Sequence, residues 1–273
     1  MNLLNRIPKR VFNYAPLRNL HRSHIFLSYF LPRMRLGFSW TGRKTEISNF
    51  YYDLTEKNLL ELAQFVSVVC GIELSRAESY VREIRENAEI RSHIEATMRL
   101  DKTMRDSNLF LGRRIGWYAV IRAMKPKLVV ETGVHQGVGA VTIINALMRN
   151  SEEGFPGRYL GTDIDPEAGV LLKGKYLEYG ELLYGDSIDS LKGITDTVDI
   201  FINDSDHSEI YEAKEYLVIS PKLSPSAMIL GDNSHATDAL LKYSIATNKK
   251  FLFFKEEPKA HWYPGAGIGV SFN

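Results

Sequence analysis

The chain has 273 residues, of which 44% are hydrophobic and 25% charged, and its formal net charge is +1. This is the balance of a globular chain, long enough for one sizeable domain or a domain with an appendage, and it gives no overall pull toward nucleic acid. The single cysteine, Cys70, excludes an internal disulfide and any cysteine-cluster metal site; among Val68, Val69 and Ile72 it reads as a buried thiol in a reducing, cytoplasmic setting. No apolar run reaches the length of a membrane span.

Charge is uneven at the start. Residues 1–45 carry Arg6, Lys9, Arg10, Arg18, Arg22, Arg33, Arg35, Arg43 and Lys44 and no acid. An organelle-targeting segment, a membrane-surface patch and a folded arm over an anionic ligand or a partner subunit all fit this pattern, and the arm or patch is preferred. Residues 46–105 have helical periodicity. Leu59, Leu62, Ala63, Val66 and Val69 form one stripe after the cap-like Asp53-Leu54-Thr55, and a second helix runs from Ser75 through a Glu/Arg-rich stretch that reads as a solvated face. The pattern breaks between Asp101 and Asn108, which sets the expected division: a basic arm and helical extension over 1–105, acting as cap, lid or dimer contact, and a second domain over 106–273. A helix from Phe110 to Met124 leads into that domain.

From Lys127 strand and helix patterns alternate, the mark of a mostly parallel α/β sheet. Seven strands are expected: Leu128–Thr132, Arg158–Asp163, Leu182–Gly185, Val198–Asn203, Ala227–Gly231, Phe251–Lys255 and Gly267–Phe272. Only a loop rich in Pro, Gly, His and Trp separates the last two, so they should form an antiparallel hairpin at one edge.

The first strand ends in a loop, KLVVETGVHQGVGA, with glycines at 133, 137 and 139. Their spacing is not the G-x-G-x-x-G of dinucleotide binders, which makes a dehydrogenase a poor fit. Five acids stand at the ends of five successive strands: Glu131, Asp163, Asp186, Asp204 and Asp232. Ligands of open α/β sheets bind at those ends. Asp163 is placed to accept ribose hydroxyls and Asp186 to stand near the far side of a nucleoside, although Asp186 before Ser187 also suits a helix cap. Glu131 can receive an ammonium. The set suits a ligand with a ribose, a cationic amino-acid tail and no phosphates.

With ETGVHQGVG, GTDID, GDS and VDIFINDSDH in this order, the chain resembles the class I S-adenosylmethionine-dependent methyltransferases from about Phe110 onward. The resemblance implies a Rossmann-like seven-stranded sheet and a cofactor set of Glu131, Gly133, Gly137, Gly139, Asp163, Asp186, Ser187 and Asp204. Two clusters remain, Asn203–His207 and Gly231–His235. Asp204, Asp232 and Asn233 would converge as hard oxygen ligands for Mg²⁺, Mn²⁺ or Ca²⁺. This is similar to the divalent-metal O-methyltransferases of the catechol and caffeoyl-coenzyme A type, and to the cephalosporin hydroxylase, rhamnosyl and macrocin groups. His207 stands where the catechol type has a lysine. The resemblance implies a metal-assisted O-methyltransferase acting on a small-molecule or glycosyl hydroxyl, with His207 as base and Asp204 beside it. Two other readings stand: a metal-free N- or O-methyltransferase, and an inactive nucleotide-binding interaction protein. Trp262 and Tyr263 would line an acceptor pocket or cover the sheet edge. Contact with nucleic acid is not expected; the arm could touch a membrane surface or a second copy of the chain.

Overall fold

The computed structural model describes residues 14–43, 48–100, 110–232 and 234–273. Contacts divide the chain into two units, Met1–Lys44 with Ala260–Tyr263, and Thr45–Lys259 with Pro264–Asn273. In the first unit, helix α1 spans Ala15–Thr41. It carries Arg18, Arg22, Arg33 and Arg35 without an acid, and none of its residues is buried. Trp262 packs on Trp40 of this helix, with ring centroids 5.2 Å apart. No described helix is long and apolar enough to cross a membrane.

The second unit begins with α2 (Glu56–Cys70), started by the Thr55 side chain, which accepts from the Asn58 amide, and stopped by Gly71 at φ +63°. Burial pushes the Cys70 thiol up to about 12, so it is an inert thiol. The long Glu/Arg-rich helix expected from Ser75 is two helices, α3 (Leu74–Glu86) and α4 (Ala88–Leu100). Asn87 divides them: its backbone is extended, and its Oδ1 accepts from the amides of Glu89 and Ile90 at 3.0 and 3.1 Å. An Asn that caps the next helix competes with continuing the previous one. The break expected over Asp101–Asn108 falls outside the described residues. Helices α2 and α3 pack on α5 (Arg114–Met124), which lies against α6 (Val138–Glu152).

The sheet has seven strands in the order β3-β2-β1-β4-β5-β7-β6. They are β1 Leu128–Thr132, β2 Arg158–Asp163, β3 Gly180–Tyr184, β4 Val198–Asn203, β5 Leu223–Gly231, β6 Lys250–Lys255 and β7 Gly267–Phe272. Strands β1 to β5 pair in parallel, whereas β7 is antiparallel to both β5 and β6. The expected C-terminal hairpin is therefore present, with β7 inside it and β6 at the edge. β5 starts earlier than its apolar run because Leu223 pairs with Val198 across a register shift. β3 starts two residues and ends one residue earlier than expected, and Gly185 just after it has φ +131°. Helices α7 (Ser187–Gly193), α8 (Glu209–Ile219) and α9 (Ala239–Ala246) complete the unit. β1 is wholly buried, as a strand covered on both faces must be. The strand order reverses between β1 and β4, and it is at the carboxyl ends beside such a reversal that sheets of this kind bind ligands.

Candidate active site

The loop after β1 is built around its glycines and the neighbouring strand end. Gly133 has φ +83°, and a Cβ there would lie 2.0 Å from the Asp204 carbonyl oxygen. The ends of β1 and β4 approach this closely because residue 133 has no side chain; the Asp204 amide also donates to the Thr132 carbonyl at 2.9 Å. Gly137, at φ +93°, is the N-cap of α6. Asp163 fastens the loop to β2. Its Oδ2 accepts from the amides of Val134 (2.9 Å) and His135 (2.8 Å), and its Oδ1 from Asp165 (2.9 Å). Tyr51, from the segment before α2, holds the His135 ring through a 3.0 Å hydrogen bond to Nδ1.

Glu131 is buried. Its Oε2 accepts from the Tyr159 hydroxyl, and a Cβ on Gly139 would lie 2.3 Å from its Oε1. Burial pushes this carboxyl up to about 8; the Asp232 and Asp163 charges add to the rise, and Tyr159 and Arg114 oppose it. A glutamate whose folded value lies above its ordinary 4.5 contributes stability that is complete below that value and lost as pH rises through about 8. Wild type should therefore lose stability relative to Glu131→Gln between pH 5 and pH 8, read from urea unfolding of the ligand-free chain. Parallel pH profiles would count against a buried, shifted carboxyl.

Asp186 is a cap, one of the two roles its position suggested. Its Oδ1 accepts from the amides of Ile188 and Asp189 at 2.9 and 3.3 Å, and its Oδ2 from the Tyr211 hydroxyl at 3.1 Å. Ser187 turns inward and donates to Glu215. Glu215, on α8, was not singled out by the sequence. It is buried and also accepts from Ser205 Oγ at 2.8 Å and from the Asn203 amide group, so one carboxylate ties α7 and the end of β4 to α8. His207 is exposed just beyond β4.

At the ends of β4 and β5 the described residues expected to hold a metal have other partners. Asp232 is buried, and both of its oxygens accept from Arg113, from Nε and Nη2. Arg113 Nη1 lies 3.7 Å from Glu256 Oε2, which itself accepts from the Tyr52 hydroxyl (2.6 Å) and the Ala266 amide (3.2 Å). Against the desolvation that would raise it, Arg113 holds the Asp232 carboxyl below its ordinary value. Burial and the Asp232 charge push Asp204 well above its ordinary carboxylate value. A divalent ion needs several unprotonated oxygens turned toward one point. Asp232 has given both of its own to a guanidinium. The expected set therefore does not fit an ion as arranged. Asn233 lies outside the described residues, and among the described residues no three His, Cys, Asp or Glu are grouped to hold a metal.

Arg114 was also missed. It is buried between the Tyr51 and Trp117 rings, its guanidinium carbon 5.4 and 5.6 Å from their centroids. Its Nε and Nη1 have no hydrogen-bond partner among the described residues. Orphaned buried donors of this kind commonly mark a group awaiting an anionic ligand. Adjacent arginines at a helix start carry no sequence pattern that separates them from solvated charge.

A parallel sheet reversing between β1 and β4, a glycine loop laced to an acid on β2, and an antiparallel β7 define a Rossmann-like fold of the class I methyltransferase type. Residues 130–234 match the family model described as a methyltransferase domain. That stretch of the chain therefore carries a methyltransferase domain. Among solved structures, a Staphylococcus aureus protein described as a putative caffeoyl-CoA O-methyltransferase is similar, at TM-score 0.50 and 10% identity over 74% of this chain and 100% of its own. Methyltransferase PaMTH1 of Podospora anserina, solved with S-adenosylhomocysteine, gives TM-score 0.49 and 19% identity over 78% of this chain and 95% of its own. The O-methyltransferase TomG of Streptomyces achromogenes, solved with S-adenosylmethionine, gives 0.49 and 12% over 68% and 90%. No curated protein matches the sequence.

Proposed function

We propose that the chain transfers a methyl group from S-adenosylmethionine to a hydroxyl of a small-molecule or glycosyl acceptor. The observation that carries this is the lacing of Asp163 to the Val134 and His135 amides at the switch between β1 and β4. An acid and a glycine loop at this switch suit a nucleoside ligand. The residues present suit the cofactor: Arg114 offers unpaired donors for the carboxylate of its amino-acid tail, and Glu131 offers an acceptor for the ammonium. When bound, the cofactor supplies an electrophilic sulfonium methyl.

The remaining chemistry belongs to side chains of this protein. His207, exposed past β4, is the base that takes the proton of the acceptor hydroxyl. Asp204, at the end of β4 and raised above its ordinary carboxylate value beside Asp232, holds the acceptor oxygen by a hydrogen bond. Positioning of this kind can supply about 7–11 kcal/mol of a two-reactant barrier. The metal-free form of the reaction is favoured by the fork of Arg113 on Asp232, and no step is assigned to an ion.

Calorimetric titration with S-adenosylhomocysteine tests the reading. Wild type should bind, and Asp163→Ala should bind about tenfold to 150-fold more weakly, on the order of 1.5–3 kcal/mol for hydrogen bonds to a charged acceptor. Failure of the wild-type chain to take up the ligand would sink the proposal.

A further inference from the structure

We propose that Arg113 is the resident cation of the acceptor half of the crevice, standing where a divalent metal ion would otherwise sit and making this methyltransferase independent of one. The inference rests on the reading above for its reaction, and on the arrangement of four distant residues for its substance. Arg113 grips both oxygens of Asp232 as a planar fork. That geometry matches a carboxylate's two acceptors and leaves neither turned toward an ion. The pair is deeply buried: the side chains of Arg113, Asp232 and Glu256 are 8%, 2% and 0% exposed. Glu256 takes the remaining arm of the guanidinium at 3.7 Å and is itself fixed by Tyr52 and the Ala266 amide.

The backbone is built for this placement. Arg113 is the N-cap of α5, and the preceding Gly112 turns at φ +52°. A Cβ on Gly112 would come within 3.3 Å of Glu256 Oε1 and of the Tyr52 carbonyl oxygen, so the turn lies directly on the residues that hold the arginine. A guanidinium stays charged at any working pH. An ion seated on Asp232 would have to displace it, leaving the buried guanidinium with Glu256 alone and facing a second positive charge. Arg113 touches Asp232 and Glu256 rather than reacting atoms, so it is a positioning residue: it fixes Asp232, and through it Asp204, and it supplies the local positive charge.

The test reads ion binding apart from turnover. Mn²⁺ is titrated into the full chain with S-adenosylhomocysteine present, and free Mn²⁺ is followed by its paramagnetic resonance signal. Wild type is expected to bind no stoichiometric ion at this site. Arg113→Gln should uncover the carboxylates and bind one Mn²⁺ at least about 100-fold more tightly than wild type, an affinity within the range set by carboxylate number and geometry. Adding Asp232→Asn to that variant should abolish the site. One Mn²⁺ per wild-type chain, lost in Asp232→Asn, would overturn the proposal, as would a folded Arg113→Gln that gains no site. Should Arg113→Gln fail to fold, the wild-type titration decides alone. Calorimetry with S-adenosylhomocysteine on the same samples separates the two failures, because loss of cofactor binding strikes the methyltransferase reading and a wild-type ion site strikes this one.

Discussion

Asp232→Ala is expected to destabilise the protein by about 3–5 kcal/mol, the cost of leaving one member of a buried ion pair without its partner. Arg113 would keep only Glu256, whose nearest oxygen is 3.7 Å away and already shared with Tyr52 and Ala266. Urea unfolding of the full chain measures the loss. The informative companion is the double variant Arg113→Met, Asp232→Leu. Apolar replacement of a buried pair is often neutral or better, so the double variant should recover most of the stability while the single one does not. A single-variant loss below about 1 kcal/mol, the range of exposed pairs, would mean that water reaches the site.

Gly133→Ala should be comparably damaging for a different reason. At φ +83° an alanine pays roughly 1–2 kcal/mol for its backbone conformation alone. Its Cβ would also stand 2.0 Å from the Asp204 carbonyl oxygen and 2.8 Å from the Ser205 Cα, both backbone atoms with no rotamer to escape into. The ends of β1 and β4 would have to part, breaking the Asp204-to-Thr132 bond, so a total of about 3 kcal/mol or more is expected. Gly154→Ala is the control: Gly154 has φ +87° with nothing within 4 Å of an added Cβ. Thermal unfolding of both variants separates collision from conformation. Equal losses would show that the two strand ends yield easily. Because Gly133 lies in the loop proposed to hold the cofactor, Gly133→Ala should also weaken S-adenosylhomocysteine binding, which Gly154→Ala should leave alone.

The sheet was legible because its strands announce themselves locally. β1, β2, β4 and β7 run over the residues expected from apolar runs bounded by turn residues. Where the reading slipped, a local signal was outweighed by a partner elsewhere. Asn87 sits within a helical pattern, yet its amide group donates to Asn145 on α6 at 2.8 Å while its oxygen starts α4. The acids could be placed at strand ends, but not their company. Whether Asp186 caps a helix or faces a ligand depends on where α7 starts, and whether Asp232 is open depends on an arginine 119 residues away. Arg113, Tyr52 and Glu256 meet only in the folded chain, and none belongs to a motif. Glu215 resembles any helix-surface acid until Ser187, Asn203 and Ser205 are seen to point at it.

The place of β7 bears on how the molecule is made. It follows the other six described strands in sequence, yet it lies between β5 and β6 and is the hydrogen-bonded neighbour of both. While the chain emerges from a ribosome, β6 has no sheet to join, and β5 keeps an unpaired edge beside Asp232 until residues 267–272 are free. Such an edge is a template for unwanted strand addition. Slowing translation ahead of β7 should therefore lengthen the interval in which nascent chains can pair with one another.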